Sequence, residues 1–452
     1  MTAMNQTIRS EALSVWTIVW PLIITNILNV VVGIVDLKMV GALGVESIAA
    51  VGIARQVMMF LMVLMIAISG GASVVIANSF GAKNAEQVSS ASAKAIVYMV
   101  ASGLFVVTPA GILTSRGLLT LLGGSAEVVD QGGRYLEILF LGSIFTMLNF
   151  AVSGVLLGIG KTKISLVLLV GVNLLNIALN YLLIYGIGPL PALGVAGAAL
   201  GTVIARAIGA VAGLWVVTTQ RLPIRAHFRT GFSIDMPFIR QILRLGGPRS
   251  LQGVVRNFSR LLTIRIVTLL PEATRAISAY SIGMQVRMVS SFVGLAFMSA
   301  AMARVGQNKG AGDLDLAQRS GWIAAVMATC LMTLVAVTFV IAPSAIMSFF
   351  TGDEQVISMG RTFFVVVAMS EPLMAFAFAL SGALRGGGDA NSPFMWATIA
   401  DLVVVIAAGY LMAVTFSMGF AGIAVALAVS ALVRAIPIMI VYRRGKWRQR
   451  VV

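Results

Sequence analysis

Apolar runs of about twenty residues or more, separated by short polar turns, recur along the whole sequence, and each is long enough to cross a bilayer as a helix. The runs are continuous rather than alternating, which excludes a pore-forming β-barrel. No water-soluble fold could cover so much apolar surface: 59% of the residues are hydrophobic, 11% are charged, and the mean hydropathy is +0.99. The pattern defines an all-α integral membrane protein that crosses the bilayer many times.

Divided at Gly, Pro and clusters of charge, the runs predict twelve helices. In the first half they lie at about 14–40, 46–78, 90–114, 131–158, 163–186 and 193–217, and in the second at about 240–270, 275–306, 317–343, 357–386, 391–416 and 420–442. A polar, arginine-rich stretch from Thr218 to Asp235, containing His227, separates the halves. It predicts an N-terminal lobe of residues 1–225 and a C-terminal lobe of 226–452, with six helices each. Arg9 precedes the first run and no small-residue cleavage site follows it, so that run reads as a spanning helix rather than a removed signal.

The halves repeat. Ser153-Gly154-Val155-Leu156-Leu157-Gly158-Ile159-Gly160 reappears as Ser381-Gly382-Ala383-Leu384-Arg385-Gly386-Gly387-Gly388, and Gly194-Val195-Ala196-Gly197 as Gly419-Phe420-Ala421-Gly422. Ile48-Ala49-Ala50 to Gln56-Val57 echoes Ile277-Ser278-Ala279 to Gln285-Val286, and Gly81-Ala82-Lys83-Asn84 answers Gly310-Ala311-Gly312-Asp313. Six helices repeated in the same order and orientation predict two pseudo-symmetric lobes about an axis along the membrane normal, with a central cavity and alternating access.

The net charge of +16 raises the question of a nucleic-acid partner, and the positions of the cations answer it. They gather in alternate loops: Lys83 and Lys94; Lys161 and Lys163; Arg221, Arg225, Arg229, Arg240 and Arg244; Arg304, Lys309 and Arg319. Arg443, Arg444, Lys446, Arg448 and Arg450 add a basic tail, whereas the intervening loops carry Glu127, Asp130, Asp353 and Glu354. That is the positive-inside pattern of a cytoplasmic (inner) membrane protein with both termini in the cytoplasm, and it requires no nucleic acid. Cys330 is the only cysteine and His227 the only histidine, so an intrachain disulfide is impossible and a Cys/His metal site is not expected. There is no phosphate-binding loop, nucleophile elbow or HExxH motif, hence no visible engine for ATP hydrolysis or hydrolase chemistry. An ion gradient, or the substrate's own, is left to drive transport, with no cofactor.

Asp36 breaks the apolar pattern of Val31–Gly44, where a mid-bilayer charge costs about 2.5–3.5 kcal/mol. Two readings are open: a coupling carboxylate, or a helix-end carboxylate at the outer surface. Lys38, at i+2, does not face it. Asn173, Asn176 and Asn180 fall at i, i+3 and i+7 on one helical face, either a packing seam or a polar face meeting Asp36. A carboxylate beside amides and hydroxyls can carry a proton or ligate sodium. In the second half Arg249, Gln252, Arg256 and Arg260 form a stripe along the seventh helix, with Glu371 and Asp401 as candidate partners. The stripe reads as a structural ion-pair network or as a cavity wall that attracts anionic groups. Glu371 precedes Pro372, where a capping or kinking role competes with a ligand role, and Asp401 sits at the repeat position of Asn173. Methionines such as Met58, Met59, Met62 and Met65 suit either a promiscuous apolar surface or ordinary packing.

Asp36 in Val-Asp-Leu-Lys-Met-Val-Gly-Ala-Leu-Gly, the paired Ser-Gly-x-Leu-x-Gly-x-Gly segments, Leu384-Arg385-Gly386-Gly387-Gly388-Asp389 and Asn176-Ile-Ala-Leu-Asn180 together resemble the multidrug and toxic compound extrusion (MATE) transporters, over essentially the whole chain. The resemblance implies two six-helix lobes that export amphipathic, often cationic, small molecules through the bilayer in exchange for H+ or Na+, as a monomer. It makes Asp36 the coupling carboxylate, with Asn149, Asn176, Asn180 and Thr202 as neighbours, and Asp36 the ligand if the ion is Na+. Asn173, Gln252, Arg256, Arg260, Glu371 and Asp401 are then candidates for the substrate cavity or the second-lobe polar network. The chain also departs from the family. Asn180 stands where a second Asp is common, Gln252 and Met374 stand near the second-lobe acids of another branch, and Arg256 and Arg260 are not a general family feature. A flippase for a lipid-linked saccharide or other anionic lipid precursor is the rival reading, with the arginine stripe holding a pyrophosphate. A membrane enzyme would need a catalytic cluster that the sequence does not show.

Overall fold

A computed structural model describes residues 2–186, 191–219 and 234–452, apart from the side chains of residues 2–5 and 59–62. His227, Arg221, Arg225, Arg229 and the boundary at 225/226 lie outside the described residues, as do the side chains of Met59 and Met62.

The first half forms α1 (Thr2–Gly41), α2 (Val45–Gly81), α3 (Ala85–Ser102), α4 (Thr108–Leu121), α5 (Ala126–Leu141), α6 (Ser143–Gly158), α7 (Thr162–Tyr185) and α8 (Gly194–Thr218). The second forms α9 (Met236–Val267), α10 (Ala273–Gly310), α11 (Leu314–Ile341), α12 (Pro343–Ser348), α13 (Glu354–Ala368), α14 (Glu371–Gly386), α15 (Asn391–Thr398), α16 (Val405–Tyr410) and α17 (Phe420–Arg444). Among the described residues nine helical stretches are long and apolar enough to span a membrane, and two bent pairs, α5–α6 and α13–α14, are long enough when each is taken as one span. The arginine-bearing α9 completes the twelve expected spans.

The spans expected at about 131–158 and 357–386 are therefore not straight. Each is a pair of helices bent by 52° and 48° respectively. Gly142 sits at the first break, where a Cβ would lie 2.4 Å from Val203. At the second, Pro372 opens α14 and leaves a gap in the backbone ladder. The expected helix at 391–416 runs through two π-helical turns, Ile399–Val404 and Leu411–Thr415.

The Ser-Gly-x-x-x-Gly repeats explain themselves in packing. A Cβ on Gly382 would lie 1.9 Å from the Met298 carbonyl oxygen and one on Gly386 2.3 Å from that of Met302, so α14 lies backbone to backbone on α10. Gly154 and Gly158 bring α6 equally close to α2, with a Cβ 2.5 Å from Ser69 Oγ and 2.8 Å from Ile76. Small residues spaced four apart allow this approach, and close packing is what binds helices together in lipid.

The chain resolves into two compact units, Ile24–Gly247 and a second made of Met1–Ile23 with Pro248–Val452. They differ from the expected lobes 1–225 and 226–452 in two segments, and named contacts give the reason. The buried Glu11 carboxylate accepts from Arg304 Nε (2.9 Å) and Nη2 (2.6 Å) and from Ser320 Oγ (2.7 Å), which binds the start of α1 to the second unit. Conversely, Lys94 on α3 meets Asp235 at 2.6 Å, and the Asp235 backbone N–H donates to Tyr98 Oη at 2.8 Å, which keeps the start of α9 in the first unit. The changes of unit fall beside Pro21 in α1 and Pro248 in α9, where the missing proline N–H interrupts the helical ladder.

Candidate ion-coupling site

α1 remains helical through Asp36 and ends only at Gly41, so the carboxylate projects from a complete turn and not from a loop. It is half-buried, while Lys38 is exposed on another face. Asn180 Nδ2 on α7 donates to Asp36 Oδ1 at 2.9 Å. Asn176 Nδ2 then donates to Asn180 Oδ1 at 3.3 Å and to Thr202 Oγ1 on α8 at 3.1 Å. The Thr202 hydroxyl itself donates to the Ala198 carbonyl at 2.9 Å. The Asn176/Asn180 spacing of one helical turn makes this chain possible. Gly201 permits it sterically, because a Cβ there would stand 2.3 Å from Asn180 Oδ1.

Beside this relay Val40, Val51, Ile184, Val195 and Ala198 form a buried apolar cluster, with Met39, Tyr135 and Tyr185 packed on it. Tyr185 Oη donates to the Met39 carbonyl at 2.8 Å and ties the end of α7 to α1. The Arg55 and Arg206 guanidinium groups both act electrostatically on Asp36. Arg55 Nη2 donates to the Gly33 carbonyl at 2.8 Å, just before Asp36 on α1, and Arg206 Nη1 donates to Thr146 Oγ1 at 3.1 Å. Neither arginine was singled out from the sequence.

Two expected neighbours stand apart from the relay. Asn149 Nδ2 donates to the Phe145 and Arg206 carbonyls, both at 2.8 Å, and so holds the α8 backbone rather than Asp36. Asn173 shares a face with Asn176 by spacing, but its buried Nδ2 has no hydrogen-bond partner among the described residues and does not join the chain.

In the second unit the expected pairings change partners. Glu371 accepts from Arg287 Nε on α10 at 2.6 Å and from Ser290 Oγ at 3.0 Å, not from Arg256 or Arg260. Asp401, in the first π-helical turn, pairs with Arg434 on α17 at 2.5 Å, and its backbone carbonyl accepts from Ser259 Oγ. Arg256 is a charge neighbour of Asp401 without bonding to it. Gln252 Oε1 accepts from Arg385 Nη2 at 2.6 Å. Arg206 and Arg434 were missed although each opens an Arg-Ala-Ile triplet at the same repeat position. That triplet, a fifth internal match, was the signal available for both.

The MatE family model matches residues 21–182 and 248–411, so that Asp36, Asn176 and Asn180 fall within its first stretch and Glu371 and Asp401 within its second. The chain belongs to the MatE family. An uncharacterized transporter of Bacillus subtilis, YisQ, is 25% identical over 445 residues, covering 98% of this MatE chain and 95% of YisQ. The probable multidrug resistance protein NorM of Thermotoga maritima is 26% identical over 435 residues, covering 94% and 91%. A solved multidrug resistance MATE family transporter of the MOP superfamily, in an outward-facing conformation, superposes with a TM-score of 0.88 at 20% identity, covering 99% of this chain and 98% of that one. This MatE chain is thus a multi-pass membrane transporter of small molecules, related to multidrug efflux proteins, and not an enzyme.

Proposed function

We propose that this chain exports amphipathic compounds by antiport at Asp36, as a monomer in the cytoplasmic membrane with both termini inside. The observation that carries the reading is the relay from Asp36 through Asn180 and Asn176 to Thr202, which occupies one carboxylate oxygen and leaves Oδ2 without a hydrogen bond among the described residues. An ionised Asp36 holds Asn180 and attracts Arg55 and Arg206. Loading a cation from outside cancels that charge and lets α1 repack against α7 and α8. Release inside restores it. The membrane potential adds about 2.3 kcal/mol per charge per 100 mV to the inward step. The basic tail that begins in the last turn of α17, from Arg443 to Arg450, supports the orientation.

The arrangement favours H+ over Na+. Asn180 offers Asp36 an N–H and not an oxygen, its own oxygen is taken by Asn176, and two guanidinium groups repel a metal ion nearby. Reconstituted into vesicles, the protein should move ethidium or norfloxacin when a pH gradient alone is imposed and not when a sodium gradient alone is imposed. Asp36→Asn should abolish that movement while the protein still inserts. Retained gradient-driven export in Asp36→Asn would sink the coupling role, and transport driven by sodium alone would replace H+ with Na+.

Lipid flipping is a second reading, supported by one observation: the interior of the second unit is rich in arginine. The same observation weighs against the purely cationic substrates expected from the family resemblance. Movement of a labelled anionic lipid in vesicles separates flipping from export.

A further inference from the structure

The cations of the second unit outnumber the carboxylates available to them. Glu11 is engaged by Arg304, Glu371 by Arg287, Asp389 by Ser392 and Arg450, and Asp401 by Arg434. Arg385, in the middle of the unit, is only 2% exposed, yet its bonds go to neutral atoms: Nη2 to Gln252 Oε1 at 2.6 Å and Nη1 to Met298 Sδ at 3.3 Å. Its Nε has no hydrogen-bond partner among the described residues. The charges that act on it belong to Arg249 and Arg434, both cations. Arg249 in turn neighbours Arg256, which lies near Asp401 and Arg434. Four guanidinium groups on α9, α14 and α17 are therefore linked through their charges, and only Arg434 and Arg256 among them have Asp401 as a neighbour.

Unused hydrogen-bonding capacity accompanies the excess charge. Among the described residues the buried Arg385 Nε, Arg434 Nε and Asp401 Oδ2 have no hydrogen-bond partner. Buried polar atoms are rarely left unmade in such numbers without a role. Asp401 lies in a π-helical turn, a feature frequent at functional sites. Arg256 is exposed, so the cluster is not sealed.

We propose that Arg249, Gln252, Arg256, Arg385 and Arg434 form an oxyanion site that receives the phosphate or carboxylate end of an amphipathic molecule. Planar guanidinium forks match such oxygens in pairs, and the surplus positive charge gives the site its sign. Gln252 accepts from Arg385 and aims it, while Asp401 holds Arg434. As a substrate site it rests on the export reading, but as a binding site it stands without it.

The test uses the full chain in phosphatidylcholine nanodiscs, titrated calorimetrically with 1-naphthyl phosphate and with 1-naphthylmethylamine. The phosphate should bind saturably and at least about tenfold more tightly than the amine. Gln252→Glu places a carboxylate against Arg385, and it should weaken naphthyl phosphate about tenfold while holding or raising the melting temperature. Arg256→Gln, at an exposed position, should weaken binding without unfolding. Equal affinity for the two probes, or unchanged phosphate binding in folded Gln252→Glu and Arg256→Gln, overturns the site. Adding phosphatidylglycerol to the disc assigns the source: competition identifies a lipid headgroup as occupant, and no competition a soluble amphipathic anion, either of which supports the site. Asp36→Asn should bind naphthyl phosphate normally. Anion binding without any coupled export by the unaltered protein thus counts against the export reading, and coupled export without anion binding against this one.

Discussion

Arg206 and Arg434 occupy the same position in the two repeats, on α8 and α17, yet only Arg434 closes onto a carboxylate. Arg434 meets Asp401 at 2.5 Å, whereas Arg206 donates to Thr146 at 3.1 Å and reaches Asp36 through its field alone. The repeat has kept the cation and changed its counter-ion. In the first unit the carboxylate comes from α1 and, among the described residues, bonds to an amide alone; in the second it comes from the π-helical turn and is held in an ion pair.

The relay should fail in order along its length. Asn180→Ala removes the one hydrogen bond to the Asp36 side chain among the described residues and should cut coupled transport about tenfold or more, since a hydrogen bond to a charged group is worth about 1.5–3 kcal/mol. Thr202→Val removes a neutral acceptor from Asn176, worth about 1 kcal/mol, and should cost a few-fold. Initial efflux rates at matched protein levels measure both, and a Thr202→Val defect as deep as that of Asn180→Ala would contradict the order.

The ion pair of Glu371 with Arg287 predicts a supporting role in the second unit rather than ion loading. Glu371→Ala strands the buried Arg287 and should destabilise the protein by about 3 kcal/mol, seen as a lower melting temperature in detergent. Pairing Glu371→Leu with Arg287→Met removes both charges and should recover most of the melting temperature and the transport. A stable double variant without transport would return Glu371 to the coupling machinery.

Glycine on α14 is there for helix contact. Gly382→Ala drives a methyl into the Met298 carbonyl and should cost about 1–3 kcal/mol. Gly171→Ala, with nothing within 4 Å of the new atom, should be neutral or stabilising. Paired thermal melts decide, and equal effects at the two positions would remove the packing argument.

Asp235 links pH to the start of α9. The hydrogen bond from Lys94 first, then the Phe238 backbone N–H, hold its carboxyl below the usual range. A depressed folded value means that its stabilisation is present above the unfolded pKa of about 4 and is lost as pH falls through the folded one. Protection from hydrogen exchange at residues 236–240, taken relative to the intrinsic rate at each pH, should therefore fall on acidification below about pH 4 in the native protein, and Asp235→Asn should flatten that response.

Membrane class, span number and repeat were legible in the sequence, because in lipid every spanning segment must satisfy its own backbone and so appears as a separate apolar run. Asp36 was legible as a costly intramembrane charge, and Asn176 with Asn180 as a shared helical face, because both follow from one helix alone. The partners were not. Whether Asp401 meets Arg256 or Arg434, or Glu371 meets Arg260 or Arg287, depends on how helices far apart in sequence are rotated and bent against one another. A π-helical turn before Val405 and the 48° break at Ser370 re-aim those side chains without a periodic signature. The pairing of Glu11 with Arg304, 293 residues further along the chain, was decided the same way. Sequence determined which segments enter the membrane and which of them carry charge. Only tertiary packing decided which charges meet, because a buried ion takes whichever counter-ion the close approach of small residues brings within reach.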